Sequence, residues 1–404
     1  LTLSLCALPA LAEMDVDGLE ELLPRHETEA ERLAWQGREH LMPGRDRMSD
    51  PPPLAPIRNC AEWEPSTGVI VRYPLGVPYG LLVDFANVGT LHVVVSSGYQ
   101  STAQSNLSAN GVNMANVEFL VRSNDSIWTR DYGPWYVFDG AGDVAIIDHT
   151  YNRPWRPNDN LIPIYFAQQQ GIPVHSHDMY HTGGNYMTDG ANIGSSTALV
   201  YNEAWSENGM NEAAVDQLMF DYYGVETYQV LDYIESGGIH HIDTWAKFLD
   251  EETVLVKDVW SSHHTYNALN QRATLLASLQ ASTGRNYQVH RVYCYSTSSG
   301  PASYTNSLIN NGKIYVPTFG NSTHDNNALA AYEAAAPGYE VEGYYYSGFI
   351  TDDALHCRTR NAHDMGMLRV AHVPVLAEQS GDVTIDAQVR AHSGSAIASA
   401  TIHY

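Results

Sequence analysis

Lysine is nearly missing from this sequence. The 404 residues include only three, Lys247, Lys257 and Lys313, and 46 acidic residues face 21 basic ones for a formal net charge of −25. Such a field works against nucleic acid and anionic membranes as partners and draws cations. A solvated acidic surface explains the same charge, and few lysines with many acids also fit a saline habitat. Cysteine is scarce as well: four residues exclude a disulfide-built scaffold. Past the first dozen residues, no stretch is long and apolar enough to cross a membrane. Gly-x-Gly-x-x-Gly, the P-loop and Gly-x-Ser-x-Gly are all absent. Their absence removes the usual signals of dinucleotide, nucleotide-phosphate and serine-hydrolase chemistry.

The start, Leu1 to Ala12, is apolar and ends in Ala10-Leu11-Ala12 before Glu13. That pattern reads as the tail of a signal peptide, 1–12, so an exported, soluble protein is expected. Without Cys6, Cys60, Cys294 and Cys357 remain, an odd number that leaves one free thiol, with or without one disulfide. Residues 13–56 read as a leader: a stretch with helical spacing up to about residue 50, then the stiff linker Ser49-Asp-Pro-Pro-Pro-Leu-Ala-Pro56. The main domain is expected over 57–375. Residues 376–404 change to short alternating strands that look like the opening of a β-sandwich.

Within 57–375, short strands and helices alternate. Strands are expected at Gly68–Leu75, Leu91–Ser97, Val117–Val121, Asp143–Tyr151, Tyr228–Asp232, Thr253–Asp258, Tyr287–Tyr295, Glu340–Ile350 and Leu368–His372. Helices are expected at Asn160–Gln170, Asn211–Tyr223, His264–Gln280 and Asn326–Ala336. Ser307–Pro317 reads as a hairpin turning at Asn311-Gly312, because both residues tolerate positive φ. Thr182 to Asp189 and Ser236 to Asp243 each show Gly-Gly followed five residues later by Asp. That echo suggests a structural repeat.

The stretch Ser123 to Trp135 packs two aspartates, one arginine and two tryptophans around the turn signal Gly133-Pro134. Placed on a loop at a strand end, it suits either a buried Arg130–Asp ion pair or a site for a planar cation such as guanidinium. His241 and Asp243, if on a strand, share a face and form either an acid–base pair or a structural pair. Cys357, flanked by His356 and Arg358 in a polar loop, is a candidate nucleophile, because nearby cations favour the thiolate; buried cysteines are more often small apolar fillers. Arg153 and Arg156 could grip a carboxylate, although surface charge is the plainer reading. His175, His177, Asp178 and His181 have irregular spacing for zinc.

Trp128-Thr-Arg-Asp-Tyr-Gly-Pro134, Gly183-Gly-Asn185, His241-x-Asp243, Thr305-Asn-Ser-Leu308 and Asp353-Ala-Leu-His-Cys357 occur in that order. Together, over roughly 57–372, they resemble the bacterial, porphyromonad-type peptidylarginine deiminases, relatives of the agmatine deiminases. The resemblance implies an α/β fold, a five-fold pseudosymmetric α/β-propeller, followed by the start of an immunoglobulin-like β-sandwich. It implies Cys357 as nucleophile, His241 as acid–base, and Asp131 and Asp243 as guanidinium clamps. Trp128, Gly184, Asn185 and Asn306 would border the substrate, and Arg153 with Arg156 would hold a C-terminal carboxylate. Two departures stand out. In the family a single residue separates the two arginines, whereas Pro154-Trp155 lies between them here. A tyrosine ahead of His-x-Asp is replaced by the glycine pair, which implies a more open pocket wall. The implied reaction turns arginine in peptides into citrulline and ammonia through a thiouronium on the cysteine, with no metal or organic cofactor. Agmatine or free arginine is the alternative substrate, and an arginine-peptide binding protein the non-enzymatic one.

Overall fold

The computed structural model describes residues 26–37, 48–372, 380–385 and 387–401. Its body is one supersecondary unit used five times. In each unit a short first strand pairs antiparallel with a second, and a helical crossover leads to a third strand parallel to the second. One unit runs Trp135–Phe138, Val144–Tyr151, helix Ile162–Gln170 and Val174–His181. The next runs Met187–Thr188, Ile193–Thr197, helices Leu199–Asn208 and Glu212–Tyr223, and Thr227–Leu231. Then follow Ala246–Phe248, Thr253–Asp258, helix Tyr266–Ser278 and Gln288–Tyr293. The fourth is Leu308–Asn310, Lys313–Thr318, helix Ser322–Ala335 and Glu340–Tyr345. The fifth joins distant parts of the chain: Arg360–His363 pairs antiparallel with Ser66–Tyr73, which is followed by helix Tyr79–Val88 and the parallel strands Thr90–Val95 and Val117–Val121.

The second strands are buried on both faces, which explains continuous apolar runs such as Val69-Ile70-Val71. The core is divided into clusters that bridge units. Phe248 and Val254 of one unit pack with Ile314 and Tyr332 of the next, and Val71 and Leu82 pack with Leu308 and Tyr315. No unit buries its apolar face alone, so each is stable only beside its neighbours.

Most expected elements are present within a residue or two. The hairpin turns at Asn311 (φ 50°) and Gly312 (φ 79°), both left-handed as a two-residue turn requires. Several expectations change. Glu340–Ile350 shortens to Glu340–Tyr345. Leu368–His372 is not a core strand: it pairs only with Ala387–Ala391, and Leu368 and Val370 are exposed. Of the short first strands only Leu308–Asn310, an arm of the hairpin, was anticipated; the others, the strands Val174–His181 and Ile193–Thr197, and the helices Tyr79–Val88, Gln100–Ala109 and Leu199–Asn208 were not. First strands of two to four residues carry too few positions for periodicity to register, and Gln100–Ala109 buries only Ala103 and Leu107. The Gly-Gly echo falls at different places in its two units. Gly183 lies in the turn before a first strand, whereas Gly237 precedes the corresponding turn and Asp189 follows its strand. The repeat is real, but that pair of motifs does not mark it.

Of the leader, helix Glu29–Trp35 is described, capped reciprocally by Thr28 and Glu31. The signal-peptide expectation and most of the leader fall outside the described residues, as do 373–379 of the tail. Among the described residues no helix is long and apolar enough to span a membrane. Cys60, Cys294 and Cys357 are buried free thiols.

Candidate active site

In four units a single helical turn precedes the first strand: Thr129–Tyr132, Gly183–Asn185, Ile242–Thr244 and His356–Arg358. In the remaining unit a turn closed by Asn306 N–H to the Ser303 carbonyl (3.0 Å) does the same. These turns meet one another. They carry Asp131, Gly184, Asp243 with His241 just before it, Asn306 and Cys357. Residues separated by more than 200 positions are therefore brought together because the unit is repeated.

Asn306 organises the centre. Its Oδ1 accepts the backbone N–H of Ala354 and of Cys357, each at 3.2 Å. Its Nδ2 donates to the Cys357 sulfur and to Asp243 Oδ2, also at 3.2 Å. The Cys357 sulfur lies 3.7 Å from Asp243 Oδ2. Asp131 accepts the Gly184 N–H at 3.1 Å and lies 3.6 Å from His241 Nδ1. A methyl group on Gly184 would sit 2.6 Å from His241 Nδ1, 2.7 Å from Asp131 and 3.2 Å from Asp243. Only glycine lets the three side chains close around that point. His241 and Asp243 sit on a 3-10 turn, not on a strand, so they do not share a face by alternation. His240, stacked on Tyr233, takes the left-handed φ of 58° just before the turn.

Trp128, Asp131, Arg153, Ile239, His241 and Cys357 line a narrow slot. Ile239 forms part of the wall that the glycine pair was expected to leave open. A much larger cavity, about 980 Å³, lies elsewhere, among Arg58, Glu64, Asp189 and Glu251, and holds none of these residues.

Three expected residues are placed differently. Arg156 is fully buried and pairs with Glu31 of the leader helix at 2.9 Å, with its guanidinium 4.8 Å over the Trp128 ring. It is thus committed to the protein's own carboxylate, and Arg153 alone of the pair lines the slot. Asn185 ties two turns together: its Oδ1 accepts Thr197 N–H (3.0 Å) and Ile242 N–H (3.2 Å). Arg130 pairs with Glu62 at 3.2 Å, not with an aspartate. On strand Val174–His181, His177 and His181 are buried, and His175 reaches the Pro51 carbonyl. Among the described residues they form no metal-ligand group.

Burial and the neighbouring Asp243 charge push Asp131 up to about 7. Burial also raises Asp243, but the His356 hydrogen bond and charge, His241 and Arg130 outweigh it, and Asp243 ends below the ordinary carboxylate value. Burial holds His241 down at about 3, so its imidazole is neutral. Burial, with Asp243, Asp353 and Asp131 around it, pushes the Cys357 thiol well up. At rest the site therefore holds a thiol, a neutral imidazole and two neighbouring carboxylates, Asp131 and Asp243, whose mutual repulsion is an imbalance felt at Asp131. An arriving guanidinium would relieve that imbalance and lower the thiol's proton affinity.

A sequence profile of the Porphyromonas-type peptidyl-arginine deiminases matches residues 58–362. The agmatine deiminase of Medicago truncatula is 25% identical over 289 residues, covering 59% of this chain and 76% of that protein. The agmatine deiminase of Pseudomonas aeruginosa is 24% identical over 294 residues, covering 62% and 76%. The solved agmatine deiminase of Enterococcus faecalis superposes with a TM-score of 0.66 at 20% identity, over 76% of this chain and 95% of that one.

Proposed function

The chain belongs to the Porphyromonas-type peptidyl-arginine deiminase family, and from that premise we propose that it hydrolyses the guanidinium of arginine in peptides to the ureido group of citrulline. The coarse class, a hydrolase of guanidino groups, follows from family membership. One observation carries the chemical reading: the Cys357 sulfur is 3.7 Å from Asp243 and shares its slot with Asp131 and His241. Asp131 and Asp243 hold the planar cation by paired, charge-assisted hydrogen bonds. Neutral His241 takes the thiol proton, and the thiolate attacks the central guanidinium carbon to give a tetrahedral adduct. The imidazolium returns that proton to the departing amino group and ammonia leaves. His241 then deprotonates water, whose oxygen adds to the thiouronium carbon. Collapse of that adduct expels the sulfur, which takes back a proton from the imidazolium, while the adduct's hydroxyl proton passes to solvent and the urea is complete. Asn306, donating to the sulfur at 3.2 Å, steadies its developing charge.

Arg153 in the slot favours a substrate that brings a carboxylate close to its guanidinium, as a C-terminal arginine does. Asp352 lines the same slot and favours the second reading, agmatine, whose free ammonium would meet it; the relatives named agmatine deiminases point the same way. Repetition of one unit five times supports a five-fold pseudosymmetric propeller. The immunoglobulin-like reading of the tail and action outside the cell rest on sequence pattern alone. The test is mass spectrometry of peptides with terminal or internal arginine, with agmatine in parallel. Citrulline at the peptide terminus supports the proposal; turnover of agmatine alone replaces it with the second reading. Absence of any ureido product overturns both.

A further inference from the structure

Asp243 also lines a small chamber of about 40 Å³ on which Glu62, Arg130, Lys247 and His356 converge. His356, the residue next to Cys357, bridges two carboxylates. Its Nδ1 is 2.8 Å from Asp243 Oδ2 and its Nε2 is 2.6 Å from Glu62 Oε2. Glu62 also receives Lys247 Nζ at 2.5 Å, Ile309 N–H at 2.8 Å and the Arg130 guanidinium at 3.2 Å. His356 and Asp243 are nine-tenths buried or more, and so are Arg130 and Lys247.

Neither neutral tautomer of His356 fits. With one proton, the ring would aim a lone pair at a carboxylate oxygen within hydrogen-bond distance. Two donated hydrogen bonds require the imidazolium. Burial, Arg130 and Lys247 draw that ring's proton affinity below the ordinary imidazole value; the two carboxylate contacts, at 2.8 and 2.6 Å, oppose that pull and favour the imidazolium. Glu62 stays ionised because Lys247, His356 and Arg130 outweigh its burial. A buried cluster of this kind is costly, and apolar side chains would fill the space at less cost. Its position, one residue from the nucleophile and in contact with Asp243, gives it a task.

We propose that Glu62 and His356 are positioning residues of the reaction: a buried chain, Glu62–His356–Asp243, that fixes Asp243 Oδ2 beside the Cys357 sulfur and keeps this carboxylate ionised while its neighbour Asp131 takes up a proton. The inference rests on the deiminase reading above. Two nearby carboxylates do not both ionise freely, and His356 decides which one does. The other charged groups facing the chain are His241 from the preceding loop, Asp131 and Arg130 from the Thr129–Tyr132 turn, Lys247 from Ala246–Phe248, and Arg360 and His363 from the last first-strand. None of these others accepts from His356 at either ring nitrogen.

The test is the pH dependence of kcat/KM for citrulline formation from a C-terminal-arginine peptide in wild type, Glu62→Gln and Glu62→Asp. Gln keeps the shape and removes the charge, so His356 loses its second proton and the Asp131–Asp243 pair binds protons more tightly. The acid limb should move up by about one pH unit, a loss of about fivefold at the wild-type midpoint and about tenfold well below it, with a smaller loss on the alkaline plateau. Asp keeps the charge and shortens the reach, so its limb should stay with the wild type even if its plateau rate falls. A merely structural Glu62 predicts the reverse order, because shape would matter and charge would not. A Glu62→Gln limb that superposes on wild type, or a Glu62→Asp limb displaced as far, overturns the proposal. If Glu62→Gln shows no cooperative melting transition, His356→Gln cuts the same chain and must displace the limb equally; a limb at the wild-type position overturns it as well. Lack of turnover by the wild type itself would instead count against the deiminase reading.

Discussion

The Thr129–Tyr132 and Ile242–Thr244 turns stand at the same place in two repeats, and each brings one aspartate against Gly184. Their surroundings have opposite effects. Asp131 has a backbone N–H, a neutral His241 at 3.6 Å and the charge of Asp243 nearby, and its proton affinity is raised to about 7. Asp243 has the His356 ring at 2.8 Å and stays an anion. Repetition supplies two equivalent positions, and the side chains behind them make the two carboxylates chemically unequal. One is a fixed anion, and the other gains its charge only when pH or a bound cation demands it.

That difference can be broken from either side. The largest effect is expected from Asp243→Asn, which removes the permanent anion: kcat/KM should fall by about 10³-fold at every pH while the melting transition remains cooperative. Asp131→Asn should cost about 10²-fold and also change the profile. In wild type, protonation of Asp131 removes the charge that holds the guanidinium, so kcat/KM should fall as pH drops through about 7. In Asp131→Asn that limb should vanish. A wild-type profile flat from pH about 5 to 9 would contradict the assignment. Gly184→Ala pushes both carboxylates and His241 apart; a loss of about 30-fold in kcat, with an unchanged circular-dichroism spectrum, is expected. The smallest change is Arg153→Ala. It should raise KM about tenfold for peptides ending in free arginine and leave C-terminally amidated peptides unaffected; equal effects on both would place Arg153 outside carboxylate recognition.

Many of the elements with enough positions to show a period were legible in the sequence, although the ten-residue helices Tyr79–Val88, Gln100–Ala109 and Leu199–Asn208 were not. Thr253–Asp258 and Val117–Val121 have the expected bounds, and Glu212–Tyr223 differs by one residue. Apart from the hairpin arm Leu308–Asn310 the first strands were not, because a strand such as Met187–Thr188 is two residues long and its pairing with Ile193–Thr197 is what defines it. At the site, the residue types were informative and their directions were not. Arg153 and Arg156 read alike in the sequence, but one lines the slot and the other is held by Glu31, 125 positions earlier. Glu62 drew no attention, and Lys247 was noted only as one of three lysines. The one available hint was Lys247 itself, one of only three lysines and set in the apolar run Trp245-Ala-Lys-Phe-Leu249. A charge in a buried strand needs a partner, but nothing local says that the partner is Glu62.

From the sequence alone came the charge balance, the longer helices and strands, and the ordered motifs that marked the family, because these depend on residue type and on spacing along the chain. Tertiary structure alone decided which carboxylate stays ionised, which arginine meets the slot and which histidine bridges two acids. Those properties depend on charge at distances of about 3 Å between residues hundreds of positions apart, and burial, by removing water, gives such contacts their strength.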